Sequence, residues 1–537
     1  MSRKLRILFV VQHGALLRFA LLIPALAERG HEIHIAFPPG GDWKGSETSD
    51  PPQRTLDLLG ELQARFPGSI EYGPVPARPG GGWSDTAWLV RGLADLAHNA
   101  NPRYKKASVL RKRTKQRVLG RMEKGNEFEP LGRALAVRVG SKLAKRTDAD
   151  LSRKVLGVTA ALEDAVPSQP EIDRFVRELA PDVVVVTGTF RHVSSEVELL
   201  KSARALGIPA GIFVTSWDNL TNKGSLKFVP ERVFVWNEVQ ARDAVELHRI
   251  PRGRVVLTGA HVFDEWFART PTRTREQLLE QLGLDPAQPY VVYLCSSGNI
   301  ARNDEPQFVR RWVAALRASE DERLRNVNVL VRPHPNVRNR PADLGDDRAV
   351  VWPPEGAYPV AAGARDDFFD TLFHSEAVVG MNTTAMIEAA ILGKSVLTVL
   401  VPEFAQETTL HFHYLLSENG GFLHVASGLD EHVRQLASVL DEDDEGAARR
   451  RAFVESFVRP RGLDRPAAPI LADEVEELAR TRVQPMNHSP VLRALLTLEA
   501  AACSALIVAA PLLRPLRLRL VGAARSRGLM TPPAKVR

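Results

Sequence analysis

The most constraining feature of this sequence is a repeated order of elements: a short apolar run, a polar turn and a stretch with helical periodicity. The order first appears at Ile7–Val11, returns at His31–Phe37 and starts a second array at Pro289–Cys295. Short apolar runs separated by helices are typical of parallel strands in α/β proteins. Two such arrays, joined near Gly259, predict two Rossmann-like domains that face each other and bind ligands at the carboxyl ends of their strands.

The length of 537 residues is enough for two or three domains. We expect an N-terminal Rossmann-like domain over residues 1–258, with a helical insertion over 42–166. A second Rossmann-like domain is expected over 259–465, followed by C-terminal helices and a basic, partly apolar tail over 466–537. The predicted fold class is therefore α/β with two facing Rossmann-like domains.

Positive charge is concentrated in two segments of the chain, whose net charge is +7. Arg103–Lys124 contains ten Lys or Arg residues and one acid, and the segment from Arg514 to the end contains seven and no acid. Such runs are attracted to anionic membranes and other polyanions, although a solvated helical face has a similar composition. No nucleic-acid-binding motif accompanies either run, so nucleic acid is not an expected partner.

The compartment is predicted from the cysteines and the first strand. Two cysteines cannot form a disulfide framework, which favours a reducing compartment. The run Ile7–Val11 is too short for the core of a signal peptide. We therefore expect a cytoplasmic protein.

A mostly apolar segment, Val491–Leu513, approaches the roughly 20 residues that a membrane span needs. Glu499 interrupts it and Pro511 limits it, which favours an interfacial helix or a helix packed on the protein over a true span. Together with residues 103–124, the segment 491–537 predicts a peripheral contact with the inner face of the cell membrane.

Three polar loops follow strands of the second array. They are Ser296-Ser297-Gly298, Arg332-Pro333-His334-Pro335 and Asn382-Thr383-Thr384. Small residues let backbone N–H groups approach phosphate oxygens, and a cation beside an imidazole can neutralise a diphosphate. We predict that these loops hold phosphate groups; an ordinary βαβ unit and a surface histidine are the structural alternatives.

The last of these loops lies in the stretch Val378–Leu400, which is organised as strand, turn, short helix and strand. Asn and Thr side chains are expected to cap a helix over about 384–392, and Gly393 suits the left-handed position that follows it. A capped helix N-terminus stabilises an anion. Glu388 lies one turn beyond Thr384 on the same face, within reach of a hydroxyl next to that anion, such as one of a ribose.

Loops of the first array carry groups suited to proton transfer and polyol recognition. The candidates are His13, Gly14, His192, Trp217, Asp218 and Asn219. A histidine after the first strand has the pKa range of a general base. A carboxylate beside a flat aromatic ring suits a sugar or polyol, and Asp218 would orient His13 or act as the base itself. A helix-capping histidine and an Asx-turn are the structural alternatives.

No metal site is expected. His411 and His413 are one residue apart, but no carboxylate spacing supports a metal site. No cofactor is expected either, because an activated donor would itself be the substrate.

With these residues in place, the chain resembles the GT-B class of nucleotide-sugar-dependent glycosyltransferases over roughly residues 5–40 and 180–460. The first-domain motifs are Ile7–Val11, His13-Gly14 and Gly30-His31. The resemblance implies that His13 is the base that deprotonates the acceptor hydroxyl. It also implies that the first domain binds the acceptor and the second domain binds the nucleotide donor.

Two second-domain motifs are similar to those of CDP-glycerol glycerophosphotransferases of teichoic acid synthesis and of capsule polysaccharide transferases. They are Arg332-Pro-His-Pro and Gly380-Met-Asn-Thr-Thr with Glu388 and Gly393-Lys394. The similarity implies that His334, Thr383 and Thr384 contact the donor diphosphate and that Glu388 takes the ribose. Non-hydrolysing UDP-sugar 2-epimerases share this architecture and stay an alternative.

The expected activity is metal-independent transfer of a sugar from a nucleotide-sugar to a hydroxyl of a cell-envelope glycan or lipid-linked acceptor. One alternative is glycerophosphate or polyol-phosphate transfer from a CDP-activated donor, in which His13 would be the base and His334 the acid toward the leaving nucleotide. The other is a UDP-sugar 2-epimerase-like reaction. The catalytic residues are predicted to be His13, Asp218 and His334.

Overall fold

Two parallel β-sheets form the frame of the molecule in the computed structural model. The structure describes residues 3–39, 51–77, 82–124, 131–188, 195–297, 300, 304–335, 341, 344–356, 362–404, 409–441, 444–484 and 489–502. Each sheet is flanked by helices on both faces, as buried parallel sheets require. The predicted fold class, two facing Rossmann-like domains, is confirmed.

Within the described residues the first sheet has seven parallel strands in the order β3-β2-β1-β4-β5-β6-β7. They are β1 (Arg6–Val10), β2 (Glu32–Phe37), β3 (Ile70–Pro74), β4 (Val183–Val186), β5 (Ala210–Phe213), β6 (Arg232–Val235) and β7 (Val255–Leu257). The strand order reverses between β1 and β4. A ligand crevice is expected outside the carboxyl ends of the strands at such a reversal.

The second sheet has six parallel strands within the described residues, in the order β10-β9-β8-β11-β12-β13. They are β8 (Tyr290–Leu294), β9 (Asn328–Arg332), β10 (Ala349–Val351), β11 (Ala377–Gly380), β12 (Ser395–Val399) and β13 (His424–Ala426). Here the order reverses between β8 and β11. The loops after these two strands are the Ser296 and Asn382 loops.

Helices cover both sheets. Those of the first domain are α1 (Leu22–Glu28), α2 (Gln53–Arg65), α3 (Gly82–Asn99), α4 (Ser108–Lys124), α5 (Leu131–Lys145), α6 (Ala149–Ala165), α7 (Pro170–Leu179), α8 (Glu196–Ala205), α9 (Asn219–Asn222) and α10 (Glu238–Glu246). Those of the second domain are α11 (Asp264–Ala268), α12 (Arg275–Gln281), α13 (Glu305–Arg317), α14 (Glu322–Asn326), α15 (Ala362–Phe373), α16 (Ala385–Ile391), α17 (Leu429–Val439) and α18 (Asp444–Phe453). Helix α19 (Ala467–Ala479) follows them in the chain.

The expected helical insertion over 42–166 needs one correction. Its first part contains α2 and β3, and β3 pairs in parallel with β2 at the edge of the first sheet. The helical part therefore begins with α3. Helices α3 to α6 pack together through a small apolar core that includes Leu96, Leu119 and Leu143.

The chain returns to the first domain after the second. Helix α19 packs its Leu471, Val475 and Leu478 side chains into the same core as β1, β4 and α1. Gly211 makes this packing possible, because a Cβ at that position would lie 2.8 Å from the Leu478 side chain. The first part of the expected C-terminal segment is therefore a layer of the first domain.

A further helix covers residues 490–502 at the end of the described chain. Its Leu492 and Leu496 side chains contact α3 and α6 through a core that includes Ala87 and Val166. Among the described residues, no helix is long and apolar enough to cross a bilayer.

Candidate functional site

Loops from the two domains meet across a cleft at the carboxyl ends of the strands. The indole Nε1–H of Trp217, after β5, donates a hydrogen bond of 3.2 Å to Oγ1 of Thr384, at the start of α16. The Trp217 ring also meets the ring of His411 edge-on, with 4.6 Å between centroids. These contacts bring the predicted acceptor loop against the predicted phosphate loop.

The second-domain wall of the cleft is held together by Ser296 and Asn382. The backbone N–H of Asn382 donates to Oγ of Ser296 at 3.3 Å, and the Asn382 side chain donates to Oγ1 of Thr409 at 2.9 Å. The backbone N–H of Ser296 donates to the buried carboxyl of Glu305 at 2.9 Å. The side chains of Ser296 and Asn382 thus tie the loops to each other, and their contact with a phosphate stays a prediction.

The other members of this wall keep more solvent contact. Ser297 and Thr383 are half-buried, and Thr384 is exposed. Gly298 lies outside the described residues. Phosphate contacts from Ser297, Thr383 and Thr384 stay predictions that their accessibility permits.

Helix α16 begins without the side-chain cap that the sequence suggested. Thr384 already has helical backbone angles and its side chain accepts no hydrogen bond from the helix backbone. Its hydroxyl oxygen is engaged by Trp217 instead. The expected stop is confirmed, since Gly393 has a φ of 75°, in the left-handed region that favours glycine.

Arg332 is buried beside carboxylates of its own domain. Its Nη1 donates to Oδ2 of Asp367 at 2.6 Å, and its guanidinium lies 5.2 Å from the centroid of the Phe368 ring. Only 7% of the residue is exposed. The proposed contact between Arg332 and a diphosphate stays a prediction, and the structure gives this side chain a partner of its own.

His334 is half-buried two residues beyond Arg332. Burial lowers the pKa of its imidazole below the usual value. The ring is therefore mainly neutral at pH 7, which suits donation of one hydrogen bond better than service as a charged acid.

Glu388 and Arg18 interact electrostatically across the cleft. Burial raises the pKa of the Glu388 carboxyl to about 8, and the nearby Arg18 opposes this shift only in part. Arg18 stands on the first-domain wall, where its Nη1 donates to the carbonyl oxygen of Thr215 at 2.7 Å. Its side chain keeps contact with solvent inside the cleft. Most Glu388 carboxyls are thus protonated at pH 7, and Arg18 is left without a full counter-charge on that side.

Asp218 lies at the centre of several cations. Burial would raise its pKa, but the charges of Lys223 and His411 and a hydrogen bond from Asn222 hold the pKa well below the usual range. Arg113, from the basic helix α4, donates to the side-chain oxygen of Asn222 at 2.6 Å and to its carbonyl oxygen at 3.0 Å. The basic segment predicted for membrane or polyanion binding therefore sends one arginine into the cleft.

We call Arg18, Arg113, Asp218, Lys223 and Glu388 the cleft cluster. Asp218 is ionised at neutral pH, whereas Glu388 is mainly protonated. Arg18, Arg113 and Lys223 thus all interact with the same ionised carboxylate. Such a surplus of positive charge in a partly desolvated cleft favours an anionic ligand.

The very low proton affinity of Asp218 bears on its predicted role as a base. A carboxylate whose pKa is so far below neutrality is a weak proton acceptor. Its electrostatic influence on the cations around it is the role that this geometry supports. The choice of Asp218 as the catalytic base stays an untested prediction.

Trp217 and Asn219 are engaged by the protein itself. Trp217 is 3% exposed and bonded to Thr384. The Asn219 side-chain oxygen accepts hydrogen bonds from the backbone N–H of Thr215 at 3.2 Å and from its hydroxyl at 3.1 Å. Both bonds run back from Asn219 to Thr215, four residues earlier, and fix the course of the loop. Acceptor contacts by these two residues stay predictions.

His13 and Gly14 lie at the mouth of the first-domain wall. His13 begins a short 3₁₀ helix, His13–Phe19, and its ring stacks on Phe37 with 4.3 Å between centroids. Gly14 is exposed. His192 lies outside the described residues. The position of His13 after β1 is as expected, and its role as the base stays a prediction.

Arg18 and Arg113 are the members of the site that sequence reasoning missed. A signal existed for Arg18, because it is the only charged residue between Gly14 and Ala27 in a segment expected to be an apolar helix. Arg113 is one of ten basic residues in its run, and nothing local separates it from the rest. Among the described residues, no group of three or more His, Cys, Asp or Glu side chains could hold a metal ion.

Comparisons with known proteins give only distant similarities. No protein-family model and no curated protein matches the chain. A putative UDP-N-acetylglucosamine 2-epimerase from Listeria monocytogenes is 12% identical, covers 90% of this chain and 99% of its own, and has a TM-score of 0.49. A glycosyltransferase from Rickettsia africae is 10% identical, with coverages of 89% and 100% and a TM-score of 0.48.

WaaG, a glycosyltransferase involved in lipopolysaccharide biosynthesis, is 12% identical, with coverages of 87% and 99% and a TM-score of 0.43. With identities this low and TM-scores below 0.5, these similarities carry no argument about substrate or reaction.

Proposed function

We propose that this chain is a GT-B type glycosyltransferase. It moves a sugar from a nucleotide-sugar to a hydroxyl of a cell-envelope glycan or lipid-linked acceptor, without a metal ion. The observation that carries the proposal is the cleft cluster, where Arg18, Arg113 and Lys223 outnumber the ionised carboxylates between two Rossmann-like domains. A donor diphosphate is an anion that such a cluster would stabilise.

The donor would lie along the second-domain wall, with its diphosphate between the Thr383–Thr384 turn and Arg18. As the sugar leaves, negative charge builds up on the terminal phosphate, and a cation held in place before the reaction lowers the barrier. Arg18 meets this requirement because Thr215 fixes its guanidinium. The protonated Glu388 carboxyl can donate a hydrogen bond to a ribose hydroxyl or accept one.

The acceptor hydroxyl would approach from the first domain. His13 would take its proton, since the other candidate, Asp218, is a weak proton acceptor with a pKa well below the usual range. Asp218 would instead offset part of the positive charge of the cluster. In the alternative with a CDP-activated polyol phosphate, the same anion site would hold the transferred group.

A nucleotide panel tests this proposal. UDP, GDP, TDP and CDP are added separately to the full chain, and the unfolding temperature is measured. At least one should raise it, because a ligand that binds the folded state stabilises that state by mass action. Arg18→Gln should weaken binding of that nucleotide by about tenfold or more, as expected for a lost charge-assisted hydrogen bond. Arg153→Gln, at an exposed site on α6, is the matched control.

The outcomes separate two kinds of donor. Stabilisation by UDP, GDP or TDP supports a nucleotide-sugar donor, and a preference for CDP favours polyol-phosphate transfer. If none of the four nucleotides changes the unfolding temperature, the proposed donor site is wrong. Equal binding by wild type and Arg18→Gln would remove Arg18 from the site.

A further inference from the structure

The 490–502 helix presents an apolar stripe to solvent. Val491, Leu495 and Leu498 are 67%, 57% and 69% exposed. Their spacing of four and three residues places them on one face. Ala494, Ala501 and Ala502 are also exposed. Large apolar side chains in a continuous exposed patch mark interaction surfaces in proteins.

The opposite face of the same helix is anchored to the protein. Leu492 and Leu496 pack with Ala87, Leu162 and Val166 of the first domain. The stripe is therefore presented in a fixed direction by a packed helix. Within the described residues both faces are apolar and only one is covered, so the other is available to a partner.

Charge indicates what that partner is. The 35 residues that follow position 502 contain seven Lys or Arg and no Asp or Glu. An exposed apolar stripe that is followed in the sequence by a segment whose charged residues are all basic is the pattern of helices that lie in the interface of anionic membranes. A second copy of this chain would bring two identical basic segments together, and like charges repel.

We propose that the stripe Val491–Leu498 docks the protein on the surface of an anionic lipid bilayer. The helix lies parallel to the membrane plane, with Val491, Leu495 and Leu498 in the acyl boundary. The positive charges that follow in the sequence attract the anionic headgroups. The anchored face keeps the rest of the first domain above the bilayer. This surface is separate from the cleft, so the proposal is independent of the proposed function.

Vesicle co-sedimentation of the full chain tests the proposal. Vesicles of phosphatidylcholine alone are compared with vesicles that also contain phosphatidylglycerol. The wild-type chain should pellet with the anionic vesicles, and less so as salt is raised, because salt screens the attraction. Leu495→Ser with Leu498→Ser should lower the partition constant by at least about tenfold, since two large apolar side chains no longer enter the acyl boundary.

The matched control changes two exposed aromatic side chains elsewhere. Tyr72→Ser with Phe373→Ser alters residues that are 41% and 39% exposed, on β3 and at the end of α15. This variant should pellet like the wild type. Unchanged unfolding temperatures would show that both variants are folded.

Two results would overturn the proposal. One is equal pelleting of the wild type and the Leu495→Ser, Leu498→Ser variant. The other is a wild-type dimer in sedimentation velocity that the same substitutions convert to a monomer, because the stripe would then be an interface between copies. Loss of nucleotide stabilisation in the panel above would leave the vesicle result unaffected.

Discussion

Two groups of charged side chains differ in their balance of charge: one lies inside the first domain and the other at the cleft between the domains. The first group is the insertion network (Arg91, Glu163, Glu198 and Lys201), in which Arg91 donates to Glu163 at 2.7 Å and to Glu198 at 2.6 Å. Lys201 donates to Glu163 at 3.1 Å. All four side chains are at most 2% exposed, and two cations face two carboxylates.

In the cleft cluster, by contrast, cations outnumber ionised carboxylates. Its three cations face one ionised carboxylate, and its second carboxyl is kept mainly protonated by burial. In the insertion network the cations and carboxylates neutralise one another, and their ion pairs hold α3, α6 and α8 together. In the cleft cluster part of the positive charge is not neutralised, and an anionic ligand can neutralise it. The comparison teaches that charge balance, rather than the number of charges, separates the structural site from the candidate functional one.

The largest effect is expected in the insertion network. Arg91→Met should lower the free energy of unfolding by about 3–5 kcal/mol, because it leaves two carboxylates buried with only one cation. Urea unfolding measures the change. The exposed pair Arg153–Asp150 on α6 is the control, and Arg153→Met should cost less than about 0.5 kcal/mol.

Urea unfolding of Arg18→Met tests the cleft cluster in the same way. Its loss from an already positive cluster should cost less than about 1 kcal/mol, since only one hydrogen bond to Thr215 is removed. A cost for Arg18→Met as large as that for Arg91→Met would contradict the distinction between the two sites.

An intermediate, pH-dependent effect on the free energy of unfolding is expected from the Glu388 carboxyl. Its folded pKa of about 8 lies above the ordinary value of 4.5, so between these values the folded state holds a proton that the unfolded state has lost. The contribution of Glu388 to stability is therefore fully present below about pH 4.5 and falls as pH rises toward 8.

Glu388→Gln removes this titration. The stability of the wild type relative to Glu388→Gln should fall by about 1–3 kcal/mol between pH 5 and pH 8, allowing for solvent in the cleft. Urea unfolding at several pH values measures the difference, in which the other titrating groups cancel. Parallel stability curves for the two proteins would mean that the Glu388 carboxyl is not perturbed by its position.

The smallest effect is expected at the contact between the domains. Trp217→Phe removes the donor to Thr384 while keeping a ring beside His411. A double-mutant cycle with Thr384→Val should give a coupling energy of about 0.5–1.5 kcal/mol in the free energy of unfolding. Additive effects of the two substitutions would show that the hydrogen bond does not join the domains in solution.

The frame of the fold was predictable because its signals are local. The strand expected after Pro181 appears as β4, whose four residues are fully buried. β3 escaped prediction for the converse reason. It is an edge strand in which only Ile70 is buried, so its sequence has no apolar run.

The candidate site was predictable as a set of loops, but not as a set of contacts. Strand ends placed Asp218, Thr384 and His334 at the cleft. The partners of Arg332 and Trp217 lie 35 and 167 residues away along the chain, and no local pattern specifies which side chains meet at such separations. The same limit explains why Arg113 looked like any other member of its basic run.

The return of α19 to the first sheet has a consequence for how the protein is made. The backbone N–H of Ala260 donates to the carbonyl oxygen of Val458 at 2.8 Å. The segment that leaves the first domain therefore contacts the segment that leads back to it. A ribosome completes residues 1–258 long before it reaches Ala467–Ala479, and until then the face of β1 and β4 that α19 covers is open to water. The core of the first domain is thus complete only after the second domain has been synthesised and α19 has packed against β1 and β4.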